Sequence, residues 1–154
     1  MKNLITVDIG GTNSRFAHFR MDDEGGLSHV NGLRLKTGSA CSLDDLIEKA
    51  LNENKSARGI QWDAMVLAVP GAIRDNTSAE LANVSWAVDV SGLRLRLQDT
   101  KIFLINDFVA QAYACPLETC LKKEIVQGGE AREGGNLAVI GAGTGLGHCT
   151  LATT

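Results

Sequence analysis

Residues 7–16 read VDIGGTNSRF: an apolar run meets a carboxylate, a glycine pair, Thr and Asn before a second apolar run begins. Residues 4–9 are almost all apolar and β-prone, the pattern of a strand buried on both faces. Residues 14–20 read as its antiparallel partner across the turn Gly10-Gly11-Thr12-Asn13. Leu33-Arg34-Leu35-Lys36 alternates with period two, predicting a third strand with one wet face. The chain therefore opens as an antiparallel meander. The turn itself has two readings. Gly and Asn suit any tight hairpin; alternatively the backbone must approach an anion, because glycines remove the Cβ and successive N–H groups form an anion-binding concavity.

The pattern then changes. Leu43, Leu46, Ile47, Ala50 and Leu51 recur at helical spacing, and Ser42 with Asp45 makes a capping-box-like start. Residues 64–69 form another buried-type strand, stopped by Pro70-Gly71. Residues 102–105 form a further strand that runs into Asn106-Asp107 and a helical stretch to about Ala114, ahead of Pro116. Residues 137–140 make one more strand, followed by the glycine-rich 141–147 and a last run, 148–152. Residues 93–97 alternate as a strand would, although a short helix suits their position between two strands. Three antiparallel strands followed by strand–helix–strand units indicate a mixed α/β sheet.

Bulk properties narrow the function. The 154 residues carry a net charge of −3, with no basic run to draw nucleic acid or acidic membranes. Asp8 interrupts the N-terminal apolar run before it could serve as a signal peptide, and no apolar stretch approaches the roughly 18 residues of a membrane helix. A soluble, cytoplasmic chain is expected, without nucleic-acid or membrane partners. The cysteines (Cys41, Cys115, Cys120, Cys149) form no C-x-x-C and read as reduced thiols. The histidines are scattered and give no metal-ligand spacing.

An internal echo points to chemistry. Val7-Asp8-Ile9-Gly10-Gly11-Thr12 and Val139-Ile140-Gly141-Ala142-Gly143-Thr144 share one form, a buried strand leading into a glycine turn with a Thr. Two such turns suggest two lobes gripping a polyphosphate from both sides. A Walker A loop is excluded, as no Lys or Arg follows either turn at the required spacing. The dinucleotide fingerprint fails as well, because the sixth residue from Gly141 is Leu146 and from Gly143 is His148. Asn106-Asp107 lies where open α/β sheets present ligands, at a strand's carboxyl end. It suits a helix cap equally well. In the functional reading Asp107 accepts a proton from an attacking hydroxyl, Asn106 orients the acceptor, and Asp8 partners Mg²⁺ through water.

On these residues the chain resembles the bacterial glucokinases, in the superfamily that includes hexokinase, actin and the heat-shock ATPases. VDIGGTNSRFA is similar to the family's phosphate-1 segment, FLINDFVAQAYACP to its sugar and catalytic segment, and GGEAREGGNLAVIGAGTGLGHC to its phosphate-2 segment. LANVSWAV resembles the stretch lining the sugar cleft. The resemblance implies an actin-like (ribonuclease H-like) lobe with a mixed sheet over residues 1–117, and the first strands of a second lobe over 118–154. It implies Asp107 as general base on the sugar 6-hydroxyl, with Asn106 and Asn83 as sugar contacts. Asp8, Gly10, Gly11, Thr12 and Asn13 would serve ATP and Mg²⁺, and Gly141, Gly143 and Thr144 the phosphates from the opposite lobe. Glucose or a related hexose would be the acceptor, and the complete protein a homodimer. The fold also makes residues 91–98 a helix, against the alternation.

Residues 71–85, GAIRDNTSAELANVS, depart from the family's usual pattern. The family's second lobe goes on to a Glu-x-x-His sugar clamp, a further sugar-binding Glu and the adenosine pocket, beyond Thr154. The strand pair at 137–152 is accordingly expected to expose apolar surface and an unpaired edge, and this chain alone to lack turnover. Two other readings stay open: a kinase of another sugar, and a non-catalytic nucleotide- or sugar-sensing module.

Overall fold

Strand β1 (Lys2–Ile9) pairs antiparallel with β2 (Asn13–Met21), and β2 with β3 (Leu27–Lys36). The computed structural model describes residues 1–54, 59–82, 84–117, 124–130, 132–142 and 146–152. After helix α1 (Leu43–Glu53) the chain enters β4 (Ala64–Val69), which lies parallel to β1. A small antiparallel sheet follows, made of β5 (Ile73–Arg74), β6 (Ser78–Ala79) and β7 (Val88–Asp89). Helix α2 (Ser91–Arg96) leads to β8 (Lys101–Asn106), parallel to β4. The main sheet has five strands in the order β3-β2-β1-β4-β8. It is mixed, as the strand pattern predicts.

Helix α3 (Asp107–Ala114) and the antiparallel pair β9 (Leu137–Ala142) and β10 (Leu146–Leu151) complete the described elements. Contacts divide the chain into two compact units, Met1–Asn106 and Asp107–Thr154. The division falls ahead of the lobe boundary expected at 117/118, because α3 packs on β9 and β10.

In the first unit the core lies on one face of the sheet. Ile5, Val7 and Ile9 of β1 and Met65, Leu67 and Val69 of β4 are buried there with Leu43, Leu46, Ile47 and Ala50 of α1. The alternate residues Thr6, Val66 and Ala68 are only partly covered, Asp8 is exposed, and Phe103 of β8 is 49% exposed. Burial of β1 and β4 on both faces is thus corrected. An apolar run marks a strand, but it does not count the layers packed on it.

Helix α1 begins as its sequence predicts. Ser42 has extended dihedrals (φ −160°, ψ 170°), and its Oγ accepts the Asp45 N–H at 3.1 Å. Asp45 returns the favour one residue upstream, where Oδ2 accepts the Cys41 N–H at 2.9 Å and the Lys49 ammonium at 2.8 Å. The hydrogen bond from Lys49, then that from the Cys41 backbone, holds the Asp45 carboxyl below its ordinary range. Replacing Ser42 by Ala should cost about 1 kcal/mol in urea unfolding; an unchanged midpoint would show the cap to be idle.

The ambiguous stretch at 93–97 is mainly helical. Leu93 is buried in the core and Leu95 points to solvent, opposite sides that a helix provides and a strand, with residues two apart on one face, does not. Asp89 tips the choice at the N-terminus by accepting the Ser91 N–H at 2.8 Å. The hairpin of β5 and β6 turns at Asp75 and Asn76, both with positive φ (50° and 55°), closed by Thr77 N–H on the Arg74 carbonyl at 3.0 Å. Cys41, Cys115 and Cys149 are free thiols. Among the described residues no helix is long and apolar enough to cross a membrane.

Among the described residues one buried polar group, His18, is titratable. His18 stands edge-on to Trp62, with ring centroids 4.8 Å apart, and its Nε2 meets Asn3 Oδ1 at 3.1 Å. An amide oxygen only accepts, so Nε2 carries the hydrogen and the proton-free Nδ1 faces no partner. Burial, then the charges of Arg20 and His29, holds the His18 pKa below its ordinary 6.5. The unfolded chain therefore takes up the proton first as pH falls. The stability that neutral His18 contributes is present above 6.5 and is lost as pH drops from there toward the lower native value. Unfolding midpoints between pH 7.5 and 5 should fall more steeply for the wild type than for His18→Phe; equal slopes would remove His18 as the cause.

Candidate functional site

The parallel register of β1, β4 and β8 sets the site. Asp8 lies level with Ala68, Ala68 with Ile105, and Asn106 with Val69. The Asp8 carboxylate, the 10–13 turn and Asn106 therefore share the carboxyl edge of the sheet, with β4 between them. Two strand spacings separate β1 from β8, roughly 10 Å. This is the edge at which open α/β sheets present ligands.

The turn is held from inside. Gly10 N–H donates to the Asn13 carbonyl at 3.1 Å, Thr37 N–H to the Thr12 carbonyl at 3.0 Å, and Thr37 Oγ1 to the Gly10 carbonyl at 2.6 Å. Ser14 Oγ lies 2.9 Å from Thr37 Oγ1. None of residues 10–13 has positive φ. The hairpin explanation for these glycines, left-handed turn backbone, accordingly does not apply. At Gly10 a Cβ would instead sit 3.0 Å from the Asn13 carbonyl oxygen, so close backbone approach is what excludes a side chain.

Asp8 points to solvent, and Arg15, opposite it in register, reaches its Oδ2 with Nη1 at 3.3 Å. Both side chains are largely exposed, so the pair adds little to stability. It does put a guanidinium beside the turn, which the sequence reading did not single out. No cluster of three His, Cys, Asp or Glu able to hold a metal occurs among the described residues. A single carboxylate fits Mg²⁺ only as an ion that keeps most of its water and leans on substrate phosphates, which is its usual habit.

Asn106 ends β8 and donates its amide to the Gly71 carbonyl at 3.0 Å and the Val69 carbonyl at 3.5 Å. It thereby fixes the loop after β4, where Gly71 takes φ +97°. Asp107 follows as the first residue of α3, and its Oδ1 accepts the Phe108 N–H at 3.0 Å. A carboxylate at a strand end and helix start combines the cap and the candidate base in one residue.

In the second unit the ring of Phe108 lies against the cross-strand pair Gly141 and Gly147. A Cβ on Gly141 would come within 2.9 Å of Phe108 Cε1, and one on Gly147 would overlap the ring. Ring packing therefore accounts for the missing side chain at Gly141 without a ligand. Gly147 belongs to the glycine-rich run but carried no role in the sequence reading; its signal was the third glycine spacing, with no hint of the partner. Asn83, Gly143 and Thr144 lie outside the described residues. Ile140 (72%) and Leu146 (76%) are exposed on the hairpin, in line with the apolar exposure expected there.

The family model described as Glucokinase matches residues 5–154. The glucokinase of Photorhabdus laumondii subsp. laumondii is 34% identical over 148 residues, covering 93% of this chain and 42% of the relative. A glucokinase crystal structure from an Antarctic psychrotroph superposes with a TM-score of 0.83 at 29% identity, over 100% of this chain and 47% of that one. The glucokinase of Balamuthia mandrillaris, solved in complex with glucose, gives 0.67 at 26% identity, over 99% of this chain and 45% of that one. The chain thus spans under half the length of these relatives. Its fold is that of an actin-like ATPase lobe, and the chain belongs to the glucokinase family.

Proposed function

We propose that the complete gene product transfers the γ-phosphoryl group of ATP to the 6-hydroxyl of glucose, giving glucose 6-phosphate and ADP. The observation that carries this reading is the shared carboxyl edge of β1, β4 and β8, along which the glycine turn and Asn106 both lie and Asp107 follows. The Asp107 carboxylate takes the hydroxyl proton as the sugar oxygen attacks the γ-phosphorus. The bond to the β,γ-bridging oxygen breaks, and ADP departs with that electron pair. Such a loose transition state asks for positioning more than for a strong base.

Asn106 and Asn83 orient neighbouring sugar hydroxyls. Gly10, Gly11, Thr12 and Asn13 hold ATP phosphates from the lobe of residues 1–117. Gly141, Gly143 and Thr144 hold them from the second lobe, which begins at 118. Mg²⁺, bound through water near Asp8, would neutralise charge on the phosphates. The glucose found in the Balamuthia mandrillaris relative supports a hexose acceptor here. Family resemblance supports a cytoplasmic homodimer of the complete protein.

The test is glucose-dependent formation of both ADP and glucose 6-phosphate by the purified complete gene product with ATP and Mg²⁺. A higher kcat/KM for another hexose would move the acceptor assignment. ATP binding with no phosphoryl transfer to any sugar would favour the sensing module.

A further inference from the structure

We propose that Thr37, backed by Ser14, is a positioning residue for the phosphate-binding turn and determines which way its peptide groups face. The proposal rests on the kinase reading above and adds a residue to it. Ser14 and Thr37 are both fully buried, at 0% exposure. Buried hydroxyls are costly unless hydrogen-bonded, and the bonds of this pair converge on the turn.

Their direction can be worked out. Thr37 Oγ1 has one proton, and the Gly10 carbonyl 2.6 Å away can only accept it. The Ser14 hydroxyl, 2.9 Å from Thr37 Oγ1, must therefore be the donor between the two. Ser14 thus donates to Thr37 and Thr37 to Gly10, while the Thr37 N–H separately holds the Thr12 carbonyl at 3.0 Å. One residue grips two carbonyls of the four-residue turn.

Peptide planarity converts that grip into donor orientation. In a trans peptide the carbonyl of one residue and the N–H of the next point opposite ways, and no cis peptide is present among the described residues. Holding the Gly10 carbonyl toward Thr37 turns the Gly11 N–H away from it. Holding the Thr12 carbonyl does the same for the Asn13 N–H. These are two of the donors assigned to ATP phosphate. With no positive φ in the turn, no glycine-only conformation dictates this orientation, and the Thr37 bonds are left to do so.

The experiment compares wild type, Thr37→Val, Thr37→Ser and Ser14→Ala in the complete gene product, with KM for ATP, KM for sugar, kcat and Tm measured for each. Thr37→Val is nearly isosteric but leaves the Gly10 carbonyl unheld. It should raise KM for ATP about tenfold, the effect of one lost hydrogen bond, with KM for sugar within about twofold of wild type. Thr37→Ser should restore the ATP value, and Ser14→Ala should raise it about threefold. An active Thr37→Val enzyme with unchanged KM for ATP overturns the proposal, as do equal rises in both KM values. Should Thr37→Val fail to fold, an unchanged KM for ATP in Ser14→Ala overturns it. A wild type without phosphoryl transfer would instead sink the kinase reading itself, before any variant is compared.

Discussion

Asp107→Asn in the complete gene product is expected to lose sugar-dependent ADP formation by about 10²–10⁴-fold, the range for removing a general base. The substitution keeps the shape and the oxygen that accepts the Phe108 N–H at 3.0 Å, so the start of α3 should survive. What it removes is the ability to take a proton from the attacking hydroxyl. Sugar affinity, read by fluorescence or calorimetry, should change by less than about threefold, because an amide still hydrogen-bonds a hydroxyl. Tm should stay within a few degrees of wild type. This pattern, kcat lost with binding kept, separates catalysis from the two competing roles of the residue. A helix cap without catalytic work would show intact turnover and an unchanged Tm, since Asn caps about as well as Asp. A sensing module would show no change in its response to sugar. Turnover within tenfold of wild type would remove Asp107 as the base.

The elements whose chemistry is local are legible in the sequence. The hairpin of β1 and β2 announces itself through a glycine pair between two apolar runs, and α1 through its apolar spacing and the Ser42 cap. The parallel strands β4 and β8 are short apolar runs with clear stops at Pro70 and Asn106. The mixed sheet follows from that order. What stayed hidden depends on distance along the chain. The strands of the β5-β6-β7 sheet have two residues each, too few for any period to register. Leu93 and Leu95 alternate in sequence as a strand would, yet one is buried and the other exposed, a difference that the helix α2 makes and that composition alone does not show.

The site shows the same division. Asp8, the glycine turn, Asn106 and Asp107 stand out as residue types in sequence, and their common edge follows once the strands are paired. Thr37 lies on no recognisable motif. It meets Ser14, 23 positions earlier in the chain, only through the register of β2 with β3. Arg15 reaches Asp8 through the register of β1 with β2. A glycine, too, shows only that a side chain is missing. At Gly10 the Asn13 carbonyl oxygen excludes it, and at Gly141 the ring of Phe108 does.

That ring underlies the second large effect. Gly147→Ala should destabilise the second unit by about 2–3 kcal/mol, the upper part of the range for overpacking. A Cβ on Gly147 would occupy the space of the Phe108 ring, whereas one on Gly141 touches only its edge at 2.9 Å. Gly141→Ala should therefore be milder, about 1 kcal/mol. The two glycines are cross-strand partners, and the next pair on that face, Val139 and Cys149, bars the ring from sliding that way. The ring must shift, and Phe108 is the residue next to Asp107. Displacing it disturbs the helix start that carries the proposed base, so kcat should fall together with Tm. The cause is isolated by repeating the substitution in a Phe108→Ala background. With the ring gone, Gly147→Ala should cost less than about 0.5 kcal/mol, the non-additivity expected of residues in contact. An equal cost in both backgrounds would mean that Gly147 answers to its own backbone and not to Phe108.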